Sequence, residues 1–228
     1  MVEIELIDRS SMIDALNGEI KILPSSTAII TIDMHRGHLD PAVATLPLAA
    51  ERCDPVIARA AQLFAVLRVR RIPIVHVVTE YRDAQEILAN PFWRAIHDDP
   101  TKARKHMSGH NIIGEPTTEI IPDLTAPEDW IVRGKKRYSP FRDTDLGLLL
   151  DRRLQVDTLI LAGINTTSCV LCCSFEATNR DYRVVIARDA VDSMDGEEMH
   201  CFALRLMAQT VGWVLANDEI IAALETNA

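Results

Sequence analysis

The 228-residue sequence is poor in several features that identify common classes of protein. The 24 Lys and Arg residues are outnumbered by 33 Asp and Glu, and the net charge of −9 argues against a nucleic acid partner, because phosphate recognition needs a basic surface. Only 5% of the residues are aromatic although 48% are apolar, so aliphatic side chains must fill most of the core. The apolar runs, such as residues 156–164, end well short of the roughly 20 residues of a membrane span.

The start of the sequence and its cysteines favour the cytoplasm. The acidic stretch MVEIELIDRS lacks the basic residues and the long apolar run of a secretory signal peptide. The five cysteines are odd in number, and Cys172 and Cys173 are adjacent, which does not suit a disulfide framework. We therefore expect a cytoplasmic protein with no membrane association, in which one thiol differs from the rest.

Six short apolar runs alternate with helical patterns along the chain. The predicted strands are Thr27–Ile32, Ile72–Val78, Trp130–Val132, Thr158–Ala162, Tyr182–Ala187 and Thr210–Val214. Their nearly continuous apolar character is typical of strands buried on both faces, and helical patterns at 54–70, 145–154 and 169–180 lie between them. This alternation predicts a single α/β domain over 1–228, a three-layer Rossmann-like fold with a mostly parallel six-stranded sheet and helices on both faces.

Residues 82–129 fit the strand–helix alternation worst. Proline and glycine recur through this segment, together with His97, His106 and His110. Long irregular segments in compact domains are usually functional. We therefore expect a lid, a substrate-facing loop or part of an oligomer contact.

Three polar residues directly follow predicted strands, where an open α/β sheet binds its ligands. Asp33 follows the first strand, Lys135 the third and Cys169 the fourth. Each has a purely structural alternative: a helix cap or turn for Asp33, a solvated basic loop for Lys135 and a buried packing residue for Cys169.

Together, these three residues can perform chemistry that none of them can perform alone. A helix is predicted to begin at Ser168 or Cys169, and the positive end of its dipole favours a thiolate. An adjacent ammonium lowers the pKa of a thiol, and a carboxylate accepts its proton and later returns it to a leaving amine. If the strand ends converge, the sequence predicts a thiol nucleophile with two charged partners.

The motifs around these residues resemble the cysteine hydrolases of the isochorismatase-like superfamily, which includes N-carbamoylsarcosine amidase, nicotinamidase, biuret hydrolase and ureidoacrylate amidohydrolase. The resemblance is carried by Ile30-Thr-Ile-Asp-Met34, by Lys135-Lys-Arg-Tyr-Ser-Pro-Phe141 with Thr144-Asp-Leu146, and by Gly163-Ile-Asn-Thr-Thr-Ser-Cys-Val170. These motifs occur in the same order as in the superfamily, and the similarity extends from about Ala28 to Leu224.

The resemblance implies roles for individual residues. Cys169 is expected to be the nucleophile, Asp33 the general base and acid, and Lys135 the electrostatic partner. A cis peptide bond is implied between Ile164 and Asn165, with the backbone amides of Asn165 and Cys169 forming an oxyanion hole. The implied reaction is hydrolysis of a small amide, carbamoyl or ureido compound through a thioester, and it needs no cofactor.

Five further residues are expected to contact the substrate. His35 and His38 follow the Asp-Met pair, with His35 standing where the superfamily often has Gln. Phe92 and Trp93 belong to the irregular segment, and Arg137 is a candidate partner for a substrate carboxylate, although a surface role for that arginine is also open.

The closely spaced His35 and His38 raise the question of a metal site. In the metal-holding nicotinamidases the ligands include an Asp-x-His pattern after the second strand, and Val77-Val-Thr-Glu-Tyr-Arg-Asp83 has no such pattern. We therefore expect no metal, and a substrate-facing or capping role for these histidines.

Two other functions remain open from the residues alone. A non-catalytic member of the same fold would use the pocket for binding or act as an oligomerisation partner. A thiol redox protein would use Cys169 and Cys172 as a C-x-x-C pair, although the superfamily motif accounts better for Cys169. By resemblance we expect a homodimer or homotetramer.

Overall fold

The computed structural model describes residues 7–99, 101 and 106–225, and its centre is a sheet of six parallel strands. The strands are β1 Thr27–Ile32, β2 Ile74–Thr79, β3 Trp130–Lys135, β4 Thr158–Ile164, β5 Arg183–Asp192 and β6 Trp213–Leu215. Their order is β3-β2-β1-β4-β5-β6, so the predicted α/β class is confirmed. Residues 1–6 and 226–228 of the predicted domain, and residues 100 and 102–105 of the 82–129 segment, lie outside the described residues.

Helices connect the strands. They are α1 Ser10–Glu19, α2 Arg36–Leu39, α3 Ala50–Val69, α4 Ala84–Leu88, α5 Pro91–Asp98, α6 Leu146–Leu148 with a π-helical continuation at Leu149–Leu154, α7 Cys169–Thr178, α8 Glu197–Thr210 and α9 Asn217–Glu225. Short 3₁₀ turns occupy Pro24–Ser26, Met107–Gly109, Pro116–Thr118 and Pro122–Leu124. Within the described part of the chain, no helix combines the length and apolar character that crossing a bilayer requires.

The sheet separates two apolar cores, which makes the fold three-layered. Successive β1 residues face opposite sides: Ile29 packs with α3 and α9, whereas Ile30 packs with α7 and the 146–154 helix. Both side chains are fully buried, and complete burial of such a side chain stabilises the fold by roughly 1.5–3 kcal/mol. Burial on both faces explains why the strands are apolar throughout instead of alternating.

Some element boundaries differ from the predicted ones. The last strand begins at Trp213 and not at Thr210, because α8 continues to Thr210, whose hydroxyl donates to the Leu206 carbonyl at 2.6 Å. Helix α3 begins at Ala50, four residues before the predicted start and despite Pro55. Packing of Cys53, which is 1% exposed, explains the longer helix, since tertiary burial outweighs the one hydrogen bond that a proline removes.

The segment 82–129 is more regular than predicted in its described part. It begins with α4 and α5, and both helices have side-chain caps: Asp83 accepts from the Glu86 amide, and Asn90 accepts from the amides of Phe92 and Trp93. Pro91 occupies the first position of α5, where its missing N–H costs nothing. These capping signals are present in the sequence, but the density of proline and glycine obscured them.

Candidate active site

The first polar group at the carboxyl edge of the sheet is Asp33. Its backbone amide still pairs with the Val77 carbonyl of β2 at 2.9 Å, after which the chain turns with a φ of +56°. This left-handed conformation is uncommon for a residue with a side chain and recurs at functional sites. The carboxylate is 1% exposed and accepts from the Thr79 amide at 2.9 Å and from the Lys135 ammonium at 2.6 Å.

Lys135 reaches the site through an irregularity in β3. Between the Val77–Val132 pair and the Thr79–Lys135 pair, β3 advances by one residue more than β2. Gly134 lies inside this bulge with a φ of +84°, a conformation that glycine adopts without strain. Because side chains alternate along a strand, the extra residue turns Lys135 to the face on which Asp33 and Cys169 lie.

The Lys135 ammonium, 1% exposed, contacts both of the other predicted catalytic residues. In addition to Asp33 it donates to the Thr79 hydroxyl at 2.5 Å and to the Cys169 sulfur at 3.3 Å. A primary ammonium has three N–H donors, so these contacts use all of them. The structure thus brings residues from the ends of three strands together as the sequence analysis expected.

Cys169 is the first residue of α7, which matches the predicted helix start. The segment before it is held in place: the Asn165 carbonyl accepts from the amides of Ser168 and Val170, both at 3.1 Å, and the Asn165 side chain accepts from the Met194 amide at 2.9 Å. The peptide bond between Ile164 and Asn165 is cis. Asn165 and Cys169, the predicted oxyanion-hole residues, both line the cleft described below.

Gly163 sets the distance between the two central strands. It pairs with Ile32 and has a φ of +129°. A Cβ at this position would lie 2.1 Å from the Ile32 carbonyl oxygen, closer than any contact that a folded chain tolerates. Only glycine therefore allows Asp33 and the Cys169 segment to follow strands that lie this close.

The electrostatics of the site correct one expectation about the thiol. Burial raises the pKa of Cys169 to about 12; the Lys135 charge opposes this shift and the Asp33 charge adds to it. Burial also raises the pKa of Asp33, but Lys135 and the neighbouring histidines outweigh it and hold that pKa well below its usual range. The pKa of Lys135 is raised, because the charges of Asp33 and Cys169 outweigh burial. The resting state is a carboxylate, an ammonium and a protonated thiol, and not the thiolate that the helix dipole alone favours.

These groups lie at the base of a cleft with about 510 Å³ of atom-free space, part of which is open to solvent. The walls above the catalytic residues include Tyr81, Trp93, Met107, Arg137 and Tyr138.

The residues predicted to contact substrate occupy different places. His38, Trp93 and Arg137 line the cleft. Phe92 instead is 69% exposed and lies on a neighbouring surface groove, because α5 turns consecutive residues to different sides. His35 is fully buried behind the cleft, with its Nε2 atom 3.9 Å from the Asp33 carboxylate.

The Arg137 guanidinium packs against Trp93, an aromatic residue of the cleft wall that is itself bonded to Tyr138. The Trp93 indole N–H donates to the Tyr138 hydroxyl at 3.1 Å, and the Arg137 guanidinium lies 5.1 Å from the centre of the Trp93 ring. One Arg137 N–H also donates to the Lys136 carbonyl at 2.6 Å. The guanidinium is therefore oriented by the wall of the cleft instead of extending freely into solvent.

The sequence analysis missed Thr79 and Tyr81. Thr79 contacts both Asp33 and Lys135, and Tyr81 is a largely buried residue of the cleft wall whose pKa is raised by burial. Thr79 is the last residue of β2 and Tyr81 follows two residues later. This position was a usable signal, since the same strand-end rule selected Asp33, Lys135 and Cys169. All five cysteines are free thiols.

Comparison with known proteins gives consistent matches over most of the chain. The family model described as "Isochorismatase domain" matches residues 27–219. The ureidoacrylate amidohydrolase of Methylobacterium radiotolerans is 27% identical over 202 residues, which are 86% of this chain and 78% of that protein. The maleamate amidohydrolase of Pseudomonas putida is 25% identical over 165 residues, 72% of this chain and 71% of that protein.

A solved structure shares the fold. The crystal structure of a cysteine hydrolase from Pseudomonas syringae pv. phaseolicola superposes with a TM-score of 0.76 and 23% identity. The match covers 92% of this chain and 97% of the other. The six-stranded parallel sheet and its helices therefore correspond over nearly their whole extent.

Proposed function

The chain belongs to the isochorismatase family, and on that premise we propose that it is a cysteine-dependent amidohydrolase. Its substrate would be a small linear amide, carbamoyl or ureido compound, hydrolysed at a C–N bond. The observation that carries this proposal is the buried Lys135 ammonium, which contacts the Asp33 carboxylate at 2.6 Å and the Cys169 sulfur at 3.3 Å.

In the first step, Asp33 takes the thiol proton as the sulfur of Cys169 attacks the substrate carbonyl. The pKa of about 12 for Cys169 means that a free thiolate is scarce at neutral pH, so deprotonation must accompany attack. As the S–C bond forms, the thiol proton becomes far more acidic and the transfer to Asp33 becomes favourable. Lys135 stays charged and stabilises the negative charge that passes from Asp33 to the sulfur and the substrate.

The negative charge on the carbonyl oxygen is then held by backbone amides. The start of α7 supplies the Cys169 N–H, and the Asn165 N–H is the second proposed donor. N–H groups at a helix start have no partner within the helix and carry the positive end of its dipole. Removing one donor of such a hole typically costs about 10²- to 10³-fold in kcat.

Asp33, now protonated, gives its proton to the leaving nitrogen, and the C–N bond breaks to release ammonia or an amine. The acyl group remains on Cys169 as a thioester. A water molecule, deprotonated by Asp33, hydrolyses the thioester and restores the thiol. Every proton in this scheme is carried by residues of the chain.

The position of Arg137 favours substrates that carry a negatively charged group in addition to the amide. Its guanidinium lies in the cleft wall against Trp93, and guanidinium groups bind carboxylates with two parallel hydrogen bonds. Ureidoacrylate and maleamate, after which the two relatives are named, are both amides with a carboxylate. We therefore expect an amic or ureido acid to be a better substrate than a neutral amide.

The test is ammonia release from a panel of primary amides, ureides and amic acids. We expect activity on one class in the wild type, no activity in Cys169→Ala, and unchanged activity in Cys172→Ala. Cys172 is a suitable control because it lies one turn along the same helix and is not among the residues that line the cleft. A wild type that releases no ammonia or amine from any member, and whose Cys169 is not alkylated selectively, would contradict the proposal and favour a binding protein on the same fold.

A further inference from the structure

A buried carboxylate that the proposed mechanism does not use lies at the carboxyl end of β5. Asp192 is the last residue of that strand and is 7% exposed. It is not among the residues that line the cleft. Its strand neighbours β4, whose end carries the segment 165–168 that leads into Cys169. A carboxylate is seldom buried unless it is paired, so its partners indicate what it does.

The partner of Asp192 is Arg52, near the start of α3. One Arg52 N–H donates to Oδ2 of Asp192 at 2.9 Å, and a second N–H donates to Oδ1. Paired bonds of this kind fix the orientation of a carboxylate as well as its position. Arg52 also lies 2.9 Å from the Glu197 carboxylate at the start of α8. The ion pair therefore connects the end of β5 to a helix that lies 140 positions earlier in the sequence.

The end of β5 holds the segment 165–168 through backbone groups. The Thr166 amide donates to the Asp192 carbonyl at 2.9 Å. The Met194 amide donates to the Asn165 side chain at 2.9 Å. Asn165 is one of the two proposed oxyanion-hole residues, so these two bonds fix the chain on one side of it and its side chain on the other.

Side-chain bonds extend the same attachment. The hydroxyl of Thr166 lies 3.0 Å from Nδ1 of His200, and the hydroxyl of Thr167 lies 2.8 Å from that of Ser193. The Ser193 amide in turn donates to Oδ1 of Asp192 at 2.6 Å. The carboxylate that Arg52 orients is thus bonded to the same turn that holds the segment before the nucleophile.

We infer that Asp192, oriented by Arg52, is a positioning residue for the proposed oxyanion hole. This inference rests on the proposed function, because the segment that Asp192 holds matters for catalysis only if an oxyanion forms. The donors of such a hole act when they lie about 2.7–3.1 Å from the oxyanion, and a misplacement of about 1 Å can cost about 10²-fold in rate. Asp192 sets this distance through the backbone of the segment 165–168 and touches no substrate.

The other end of α3 provides a matched control. Arg68 donates to the Asp129 carboxylate at 2.6 Å, and that carboxylate is as deeply buried as Asp192. Asp129 precedes β3 and therefore lies at the opposite edge of the sheet. Removal of either arginine leaves a buried carboxylate without its guanidinium, but only the loss of Arg52 affects the segment before Cys169.

Steady-state kinetics on the best substrate of the amide panel separates positioning from binding. Arg52→Met should lower kcat by about 10- to 100-fold with little change in KM, because the segment shifts beneath an otherwise intact cleft. Arg52→Lys retains the charge with a single contact and should recover part of this loss. Arg68→Met should leave both constants of the folded protein unchanged.

A milder variant makes the test decisive if Arg52→Met does not fold. Thr166→Val removes one hydroxyl from the attachment and nearly preserves the shape of the side chain. It should lower kcat by roughly tenfold, the effect of about one lost hydrogen bond, again with little change in KM.

Alkylation of Cys169 gives a readout that does not depend on an oxyanion hole. Iodoacetamide is attacked at its methylene carbon: the S–C bond forms, iodide leaves, the thiol proton passes to Asp33, and no charge develops on a carbonyl oxygen. Mass spectrometry distinguishes Cys169 from the other thiols. The rate at Cys169 should be the same in the wild type, Arg52→Met and Thr166→Val.

The inference is wrong if the folded Arg52→Met and Thr166→Val variants retain the wild-type kcat, or if the loss appears in KM. It is also wrong if hydrolysis and alkylation fall by the same factor, or if Arg68→Met loses as much kcat as Arg52→Met. A wild type that hydrolyses no member of the panel contradicts the proposed function, and this inference with it. Failure of the inference alone would leave the comparison of the wild type with Cys169→Ala intact.

Discussion

Two buried carboxylates lie near opposite edges of the sheet and serve as a comparison. Asp33 follows β1 at the carboxyl edge, and Asp129 precedes β3 at the amino edge. Their side chains are 1% and 3% exposed, and each bonds to a cation, Lys135 for Asp33 and Arg68 for Asp129. Burial would raise the pKa of both carboxyl groups, and in both cases the neighbouring groups lower it instead.

The two networks differ in what lies beyond the ion pair. Asp129 also accepts from His76 at 3.2 Å and from the Ala126 amide at 2.8 Å, and its partner Arg68 donates to the Leu124 carbonyl. That network therefore continues into backbone groups. The Asp33 network instead continues through Lys135 to a thiol at the base of a cleft. A buried carboxylate with a lowered pKa is thus weak evidence of a catalytic site, whereas its connection to a nucleophile and a cavity is strong evidence.

The largest difference should appear when each carboxylate becomes an amide. Asp33→Asn should lower kcat/KM by about 10² to 10⁴, because the variant can neither accept the thiol proton nor return it. Asp129→Asn should leave kcat/KM of the folded protein unchanged, since that group lies at the other edge of the sheet. Steady-state kinetics on a substrate from the amide panel measures both. An equal loss in the two variants would remove the distinction between the networks.

A smaller difference is expected in the stability of the protein at acidic pH. Hydrogen bonds from His76 and Arg68 outweigh burial and lower the pKa of Asp129 to about 2, from 3.8. Because the folded-state pKa is the lower one, the stabilisation is present above about pH 4 and is lost as pH falls towards 2. The expected contribution is about 1–2 kcal/mol.

Urea unfolding of the wild type and Asp129→Asn at pH 6 and pH 3 tests this expectation. The wild type should lose more of its unfolding free energy between the two pH values than the variant does. The prediction is wrong if the two proteins lose the same amount.

The smallest effects concern one threonine in each network. Thr79→Val removes a hydroxyl that positions the Lys135 ammonium and should lower kcat by roughly tenfold, the effect of about one lost hydrogen bond, with little change in KM. Thr31→Val removes the hydroxyl bonded to His76 at 2.7 Å and should cost about 1 kcal/mol of stability without changing kcat. A kcat loss in Thr31→Val as large as that in Thr79→Val would contradict this assignment.

The sequence predicted site residues best where the local sequence around a residue was sufficient to locate it. Asp33 and Cys169 each follow a continuous apolar strand, so the strand-end rule located them without knowledge of contacts. Lys135 was less secure, since a bulge at Gly134 turns it to the correct face and the alternation of a regular strand would not.

Features that depend on distant parts of the chain were not predictable. The raised pKa of Cys169 reflects complete burial, which overrides the helix dipole and which local sequence does not reveal. The exposure of Phe92 depends on the rotation of α5. The proximity of the His35 and His110 rings, whose centres are 5.7 Å apart, accompanies backbone hydrogen bonds between residues 119–121 and the turn after β1, far apart in sequence. The catalytic roles, the substrate contacts and the oligomeric state remain predictions.

The close pairing of Ile32 with Gly163 limits where the sequence can evolve without disturbing the proposed site. The groups proposed to carry the reaction lie at the carboxyl ends of β1, β3 and β4, whereas much of the cleft wall, including Trp93 and Met107, belongs to the connection between β2 and β3. Insertions and substitutions in that connection can remodel which molecule fits without altering the spacing of the reacting groups. Laboratory evolution directed at residues 84–113 should therefore yield new selectivities far more readily than a library of the same size directed at the strand ends.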